Sequence, residues 1–163
     1  MEFWSCACYV ALIGCIGFLL GRIIPKGWIN SNKFPFASLS FEDQGKLYEK
    51  LGIRFWHKRV PDMSKVFPGL MPAKKIGKDL EKELPVMIRE TCVAEMTHCA
   101  LIVASLHCLR LWPGVGGICI VGLNILGNLP FILIQRYNRP RLQRLYRRFC
   151  PVGTAENAVA VTK

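Results

Sequence analysis

The chain has 163 residues, room for one domain, and 52% of them are hydrophobic, a fraction high for a soluble protein. A formal net charge of +11 usually suggests nucleic acid, but the basic residues here flank apolar runs on one side, where anionic lipid headgroups attract them, so nucleic-acid binding is set aside. Eight cysteines without a CxxC or zinc-ligand spacing read as small apolar side chains in helix packing, and no metal site is expected.

From Phe3 to Gly21 no Lys or Arg occurs, which predicts a first transmembrane helix over about 3–23. Leu12-Ile13-Gly14-Cys15 has a superficial likeness to a lipoprotein cleavage box. The acidic Glu2 and the lack of an early positive charge are nevertheless wrong for a signal peptide, so the span is expected to be retained. Pro25, Gly27 and Pro35 then indicate an irregular link along the membrane surface. Ser40 is a plausible N-cap for a helix from Phe41 to Leu51, with Glu42 and Asp43 in its first turn and Phe41, Leu47, Tyr48 and Leu51 on an apolar face suited to the interface. Pro61, Pro68, Gly69 and Pro72 interrupt the chain before a short charged helix, Gly77 to Glu83, and Pro85 is placed to start the next one. That helix enters a second span at about 91–111, and a turn at Leu111 to Gly114 leads to a third at about 114–135. Pro140 is expected to keep residue 139 out of the helical region and break the chain there, ahead of a basic C-terminal helix over 139–150. The final GTAENAVAVTK is weakly patterned.

The expected architecture is an all-α membrane protein: one membrane domain, 1–163, of three transmembrane helices plus interfacial helices within a cytoplasmic segment, 24–89. Of the 22 Lys and Arg, none precedes Arg22, fourteen lie from Arg22 to Arg89, Arg110 stands alone, and seven follow from Arg136. The positive-inside rule therefore predicts a multi-pass protein of the cell membrane with its N-terminus outside and its C-terminus cytoplasmic.

Ionisable side chains within a membrane are costly and call for a partner or a task. In ETCVAEMTH, residues 90–98, Glu95 and His98 stand at i and i+3 on one helix face, which Thr91, Ile102 and Ser105 extend. A carboxylate so close would fix the imidazole tautomer and raise its basicity, as a general base needs. The same spacing also suits a structural polar pair or half of a di-metal site, although nothing else in the chain supplies the remaining carboxylates. Haem ligation by His98 and His107 is disfavoured, because nine residues separate them and both cannot reach one iron from the same side.

The third span carries a stripe of Asn124, Asn128 and Gln135. At about 1.5 Å of rise per residue, His98 and Asn128 lie at similar depths, so an antiparallel hairpin would let them face each other, while Pro130 frees a carbonyl near that level. Asparagines that merely join helices are the competing reading. Beyond the span, QRYNRPRLQRLYRR packs six arginines into fourteen residues. Arg144, Arg147 and Arg148 suit headgroup anchoring; Arg136, Arg139 and Arg141, grouped around a helix break, form a candidate fork for phosphate or carboxylate.

The stretches NLPFILIQRYNRPRL, ETCVAEMTH and FEDQGKLYEKLGIRFWHKRVPD resemble the small membrane-protein family of glycosyl-4,4'-diaponeurosporenoate acyltransferase. The likeness runs in the same order over about residues 22–145, and Gln135 to Arg141 is its most specific part. It implies an integral-membrane O-acyltransferase moving a fatty acyl group from acyl-CoA to a sugar 6-hydroxyl of a glycosylated lipid such as a carotenoid glycoside. No cofactor beyond the donor is implied; the partners are membrane lipids, acyl-CoA and the glycolipid acceptor, with the oligomeric state open. The resemblance brings no established catalytic residues. On the residues themselves, His98 is the candidate base, Glu95 its orienting carboxylate and Asn128 the oxyanion donor, with Glu90 an alternative base or sugar ligand. Asn124, Gln135, Arg136, Tyr137, Asn138, Arg139 and Arg141 are candidate substrate-binding residues, with Lys74, Lys75 or Lys78 assisting on donor phosphates and His57 a more distant candidate. A non-enzymatic membrane lipid-binding or assembly protein is the alternative from another class.

Overall fold

The computed structural model describes residues 1–60 and 79–150; within them the chain is helical, with turns and irregular links and no strand. Lys74, Lys75, Lys78 and the start of the expected Gly77–Glu83 helix lie outside the described residues. Among the described residues six α-helices follow in order: α1 (Glu2–Ile23), α2 (Lys46–Lys50), α3 (Ile53–Trp56), α4 (Leu80–Ser105), α5 (Cys108–Leu111) and α6 (Val115–Phe149). Three stretches, Glu2–Ile23, Leu80–Leu111 and Val115–Phe149, are long and apolar enough to cross a membrane.

The spans agree with the apolar runs, but their ends do not. Pro85 lies inside α4 rather than at its start, and both Pro130 and Pro140 lie inside α6, which continues without a break to Phe149. Each proline removes one helical hydrogen bond. At Pro140 burial supplies the compensation: Tyr137, Arg139 and Pro140 are all packed inside, and a Cβ placed on Gly45 would come within 3.2 Å of the Pro140 ring. Gly45, at φ +98, is thus required both by its backbone conformation and by the closeness of the docked segment.

The expected Phe41–Leu51 helix is instead a set of short pieces. A 3-10 turn over Ser40–Gly45 follows Leu39, so Ser40 is not the N-cap; α2 and α3 come next, separated by Gly52 at φ +69. Glycines in the left-handed region divide what apolar spacing alone reads as one helix. The pieces wrap against α6 through a buried cluster of Tyr48, Ile53 and Tyr137, flanked by Trp56, Leu133 and Ile134.

Helices α4 and α6 form an antiparallel hairpin, which supplies the main packing of the molecule. Its turn depends on small residues: a Cβ on Gly117 would come within 2.3 Å of the Trp112 carbonyl, and one on Gly116 within 2.1 Å of the Trp112 ring. At that end Cys6, Cys108 and Val121 form a second buried cluster joining α1 to the hairpin, and the Tyr9 hydroxyl donates to the Ala104 carbonyl at 3.0 Å. Further along, Gly17 and Gly21, four residues apart, let α1 approach α4. Added Cβ atoms would meet Leu101 and Thr97, each at 3.2 Å. Two glycines at this spacing remove the bulk that keeps membrane helices apart.

Candidate functional site

Two polar groupings lie one after the other along the α4–α6 seam. The first gathers around Glu95, 5% exposed on α4. Arg136 donates to Glu95 Oε1 at 2.5 Å and to Glu42 Oε1 at 2.5 Å, while Arg139 donates to Glu95 Oε2, to the Thr91 hydroxyl at 3.0 Å and to the Thr91 carbonyl at 3.2 Å. Arg139 also donates to the Phe36 carbonyl at 2.7 Å, and Arg136 to the Pro35 and Ala37 carbonyls. Two carboxylates thus balance two guanidiniums, and a loop far away in sequence is clamped onto the hairpin. Charged groups taken from water need this degree of pairing.

Glu42, 2% exposed, is the loop's contribution. Its carboxylate also accepts from the Leu39 amide at 2.8 Å and from the Tyr48 hydroxyl. Burial pushes the Glu42 carboxyl up, but Arg136, Tyr48 and the Leu39 amide together outweigh it and hold the group below its ordinary value. Burial, then the bond to Glu42, pushes the Tyr48 phenol up to about 12.

The second grouping begins one turn further along α4. His98 Nδ1 lies 2.8 Å from Asn128 Oδ1, and the imidazole stacks on Phe131 with ring centroids 4.7 Å apart. The Asn128 amide nitrogen donates to both the carbonyl and the side-chain oxygen of Asn124, each at 2.9 Å. Those two acceptors fix the amide's orientation, so the oxygen is what faces His98. Nδ1 must then carry the proton, and in the neutral ring Nε2 bears the lone pair. No described residue takes Nε2.

The geometry reassigns several expected roles. Glu95 turns to Arg136 and Arg139, so Asn128 rather than Glu95 orients His98. Asn128 is no oxyanion donor either, because its N–H groups are occupied by Asn124. The anticipated three-arginine fork does not form: Arg136 and Arg139 are bound internally, and Arg141 lies over the Tyr137 ring at 4.7 Å and donates to its hydroxyl at 2.7 Å. Glu90 is half-buried on α4, and Gln135 and Asn138 are half-buried on α6. His57 Nδ1 lies 2.7 Å from the Ile53 carbonyl, and its ring centroid is 6.3 Å from that of Tyr137.

Glu42 and Tyr48 are the residues that sequence reasoning missed. Glu42 was legible as a helix-start acid but not as a partner of an arginine 94 positions away. One available signal was the pair of arginines in RYNR, at i and i+3, which require carboxylates when a helix buries them.

A family model described as glycosyl-4,4'-diaponeurosporenoate acyltransferase matches residues 25–148 of the chain. Relatives of that description from Staphylococcus aureus strains MRSA252 and USA300 are 30% and 29% identical over 129 residues, which cover 78% of this chain and 78% of each relative. No solved structure matches. The matched region contains every residue of both polar groupings.

Proposed function

Because the chain belongs to the glycosyl-4,4'-diaponeurosporenoate acyltransferase family, we propose that it is an integral-membrane O-acyltransferase acting on a glycosylated lipid, with His98 as general base. The observation that carries the reading is the fixed amide of Asn128, which leaves the lone pair of His98 on Nε2. An asparagine orients the ring as a carboxylate would, without burying another charge; Cys-His-Asn proteases use the same solution.

In the proposed reaction His98 Nε2 accepts the proton of an acceptor hydroxyl, such as the 6-hydroxyl of a carotenoid glucoside. The oxygen attacks the carbonyl carbon of an acyl-CoA thioester. As the tetrahedral intermediate collapses, the carbon–sulfur bond breaks and the imidazolium returns the proton to the departing thiolate. The products are the acyl ester and free coenzyme A, and His98 ends neutral. The Glu42–Arg136–Glu95–Arg139 clasp holds α4 and α6 in the register that brings His98 to Asn128. With the basic end facing the cytosol, a soluble donor reaches the seam from that side while the acceptor and acyl chain stay in the membrane.

The test is expression of wild type and His98→Ala in a host supplied with labelled long-chain acyl-CoA and candidate glycolipids, with membrane lipids profiled by mass spectrometry. The expected result is an acylated glycolipid made by wild type and reduced at least about 100-fold in the variant, the scale of a lost general base. Undiminished product from a well-folded variant would remove His98 from the chemistry. Absence of product from folded wild type across donors and acceptors would remove the acyltransferase.

A further inference from the structure

Beyond the clasp, α6 continues for more than two turns, and there its side chains and the 31–38 loop line an open cavity of about 250 Å³. Ser31, Asn32, Ser38, Gln143, Arg144 and Arg147 are its polar lining; Ala37 and Pro140 complete it, and none of these residues is acidic. The geometry points to a binding site for a phosphate ester. This inference rests on the acyltransferase reading for its place in the reaction, but not for its chemistry.

Three observations support it. First, Arg144 and Arg147 are at i and i+3 on one helix face and both line the same concavity. Headgroup anchoring requires only arginines at helical spacing; here they are joined by two hydroxyls and two carboxamides, the mixture of charged and neutral groups that surrounds phosphate oxygens. Second, the loop wall is held in place on both sides. Gln143 Nε2 donates to Asn32 Oδ1 at 3.1 Å and reaches Ser31 Oγ at 3.4 Å, while Arg136 and Arg139 hold the carbonyls of residues 35 to 37. The Ser31 hydroxyl and the backbone leading to Ser38 are therefore positioned before any ligand arrives.

Third, the placement suits an extended donor. Sixteen residues of continuous helix separate Asn128 from Arg144, about 24 Å at 1.5 Å per residue. In a coenzyme A thioester about thirteen bonds separate the sulfur from the first phosphorus, about 15 Å at the reach of an extended peptide. The second phosphate and the phosphorylated ribose lie beyond that, and the arginine side chains reach back toward them. A membrane phospholipid headgroup offers the same phosphate chemistry at the same surface, and the test separates the two sources.

The full chain is reconstituted in phosphatidylcholine nanodiscs and titrated with free coenzyme A, which carries the phosphates but no acyl group to transfer. Thermal stability is then compared in discs with and without phosphatidylglycerol. The variants are Arg144→Gln/Arg147→Gln and, at an exposed position, Arg147→Glu alone. Coenzyme A binding weakened about tenfold or more, the loss of a charge-assisted hydrogen bond, assigns the site to the donor's phosphates. Unchanged coenzyme A binding together with loss of the phosphatidylglycerol-dependent rise in Tm assigns it to a lipid headgroup. If Arg147→Glu folds and alters neither response, the site does not bind phosphate. Coenzyme A binding lost in the variants of a protein that acylates nothing would sink the acyl-transfer reading alone. Acylation with no change in either binding response would sink the phosphate site alone.

Discussion

One helical turn separates Glu95 from His98, yet the two residues belong to opposite kinds of polar site. Around Glu95 both carboxylate oxygens are taken, the arginines are spent on it, on Glu42 and on loop carbonyls, and the formal charges cancel. Around His98 no formal charge is present, and one ring nitrogen has no partner among the described residues. A fully paired cluster holds a shape, whereas a site with an unused, oriented lone pair retains something to offer a substrate. Ionisable residues in a span are therefore better judged by what remains unpaired than by their presence.

The comparison is broken most severely at its paired half. Glu95→Ala leaves two guanidiniums without their shared carboxylate, and a cost of about 3–5 kcal/mol is expected, seen as a collapse of Tm or of folded yield in detergent. If Glu95→Ala stays folded and merely loses activity, the clasp is functional rather than structural.

A smaller effect is expected at Asn128. Asn128→Ala removes the bond that orients His98, about 1 kcal/mol, together with two donations to Asn124, so kcat falls about fivefold to tenfold and Tm falls by less than in Glu95→Ala. Asn128→Asp restores an acceptor for Nδ1 and is expected to recover part of the loss. A pH–rate profile for the two variants checks that Asn128 acts through the ring.

Stability against pH sharpens the contrast further. Glu42 has its carboxyl held below 4.5 when folded, so its contribution is present above that value and is lost as pH falls through the folded one. Tyr48 rises from 10.0 to about 12, so its contribution is present below pH 10 and is lost as pH climbs toward 12. Chemical denaturation across pH should therefore show a plateau bounded by acid and alkaline losses. Glu42→Gln is expected to flatten the acid limb, and Tyr48→Phe the alkaline one.

The effect furthest from the chemistry is expected at Gly45. Gly45→Ala places a Cβ at positive φ and 3.2 Å from Pro140, with an expected loss of about 1–2 kcal/mol read as earlier proteolysis of the 31–60 segment.

The three spans were legible because crossing a bilayer demands an uninterrupted apolar run, and few other structures need one. The facing of His98 and Asn128 was legible from depth alone, since helix rise is constant and the hairpin turn is short. The fate of the arginines was not. Pro140 locally favours a break, but Tyr137 and Pro140 are buried against Tyr48, Ile53 and Gly45, and that tertiary packing carries the helix through. The fragmentation of the 41–51 stretch was equally hidden, because Gly45 and Gly52 act through backbone angles that apolar periodicity does not register.

The unbroken course of α6 has a mechanical consequence. Its 35 residues measure about 52 Å, so it is a single stiff member far longer than a hydrocarbon layer of about 30 Å. A flexible joint at residue 139 would have let the arginine-bearing tip swing independently of the seam. Without one, the spacing between tip and seam is fixed by helix length alone, and lengthening or shortening the helix by a whole turn would move the tip about 5 Å relative to the seam.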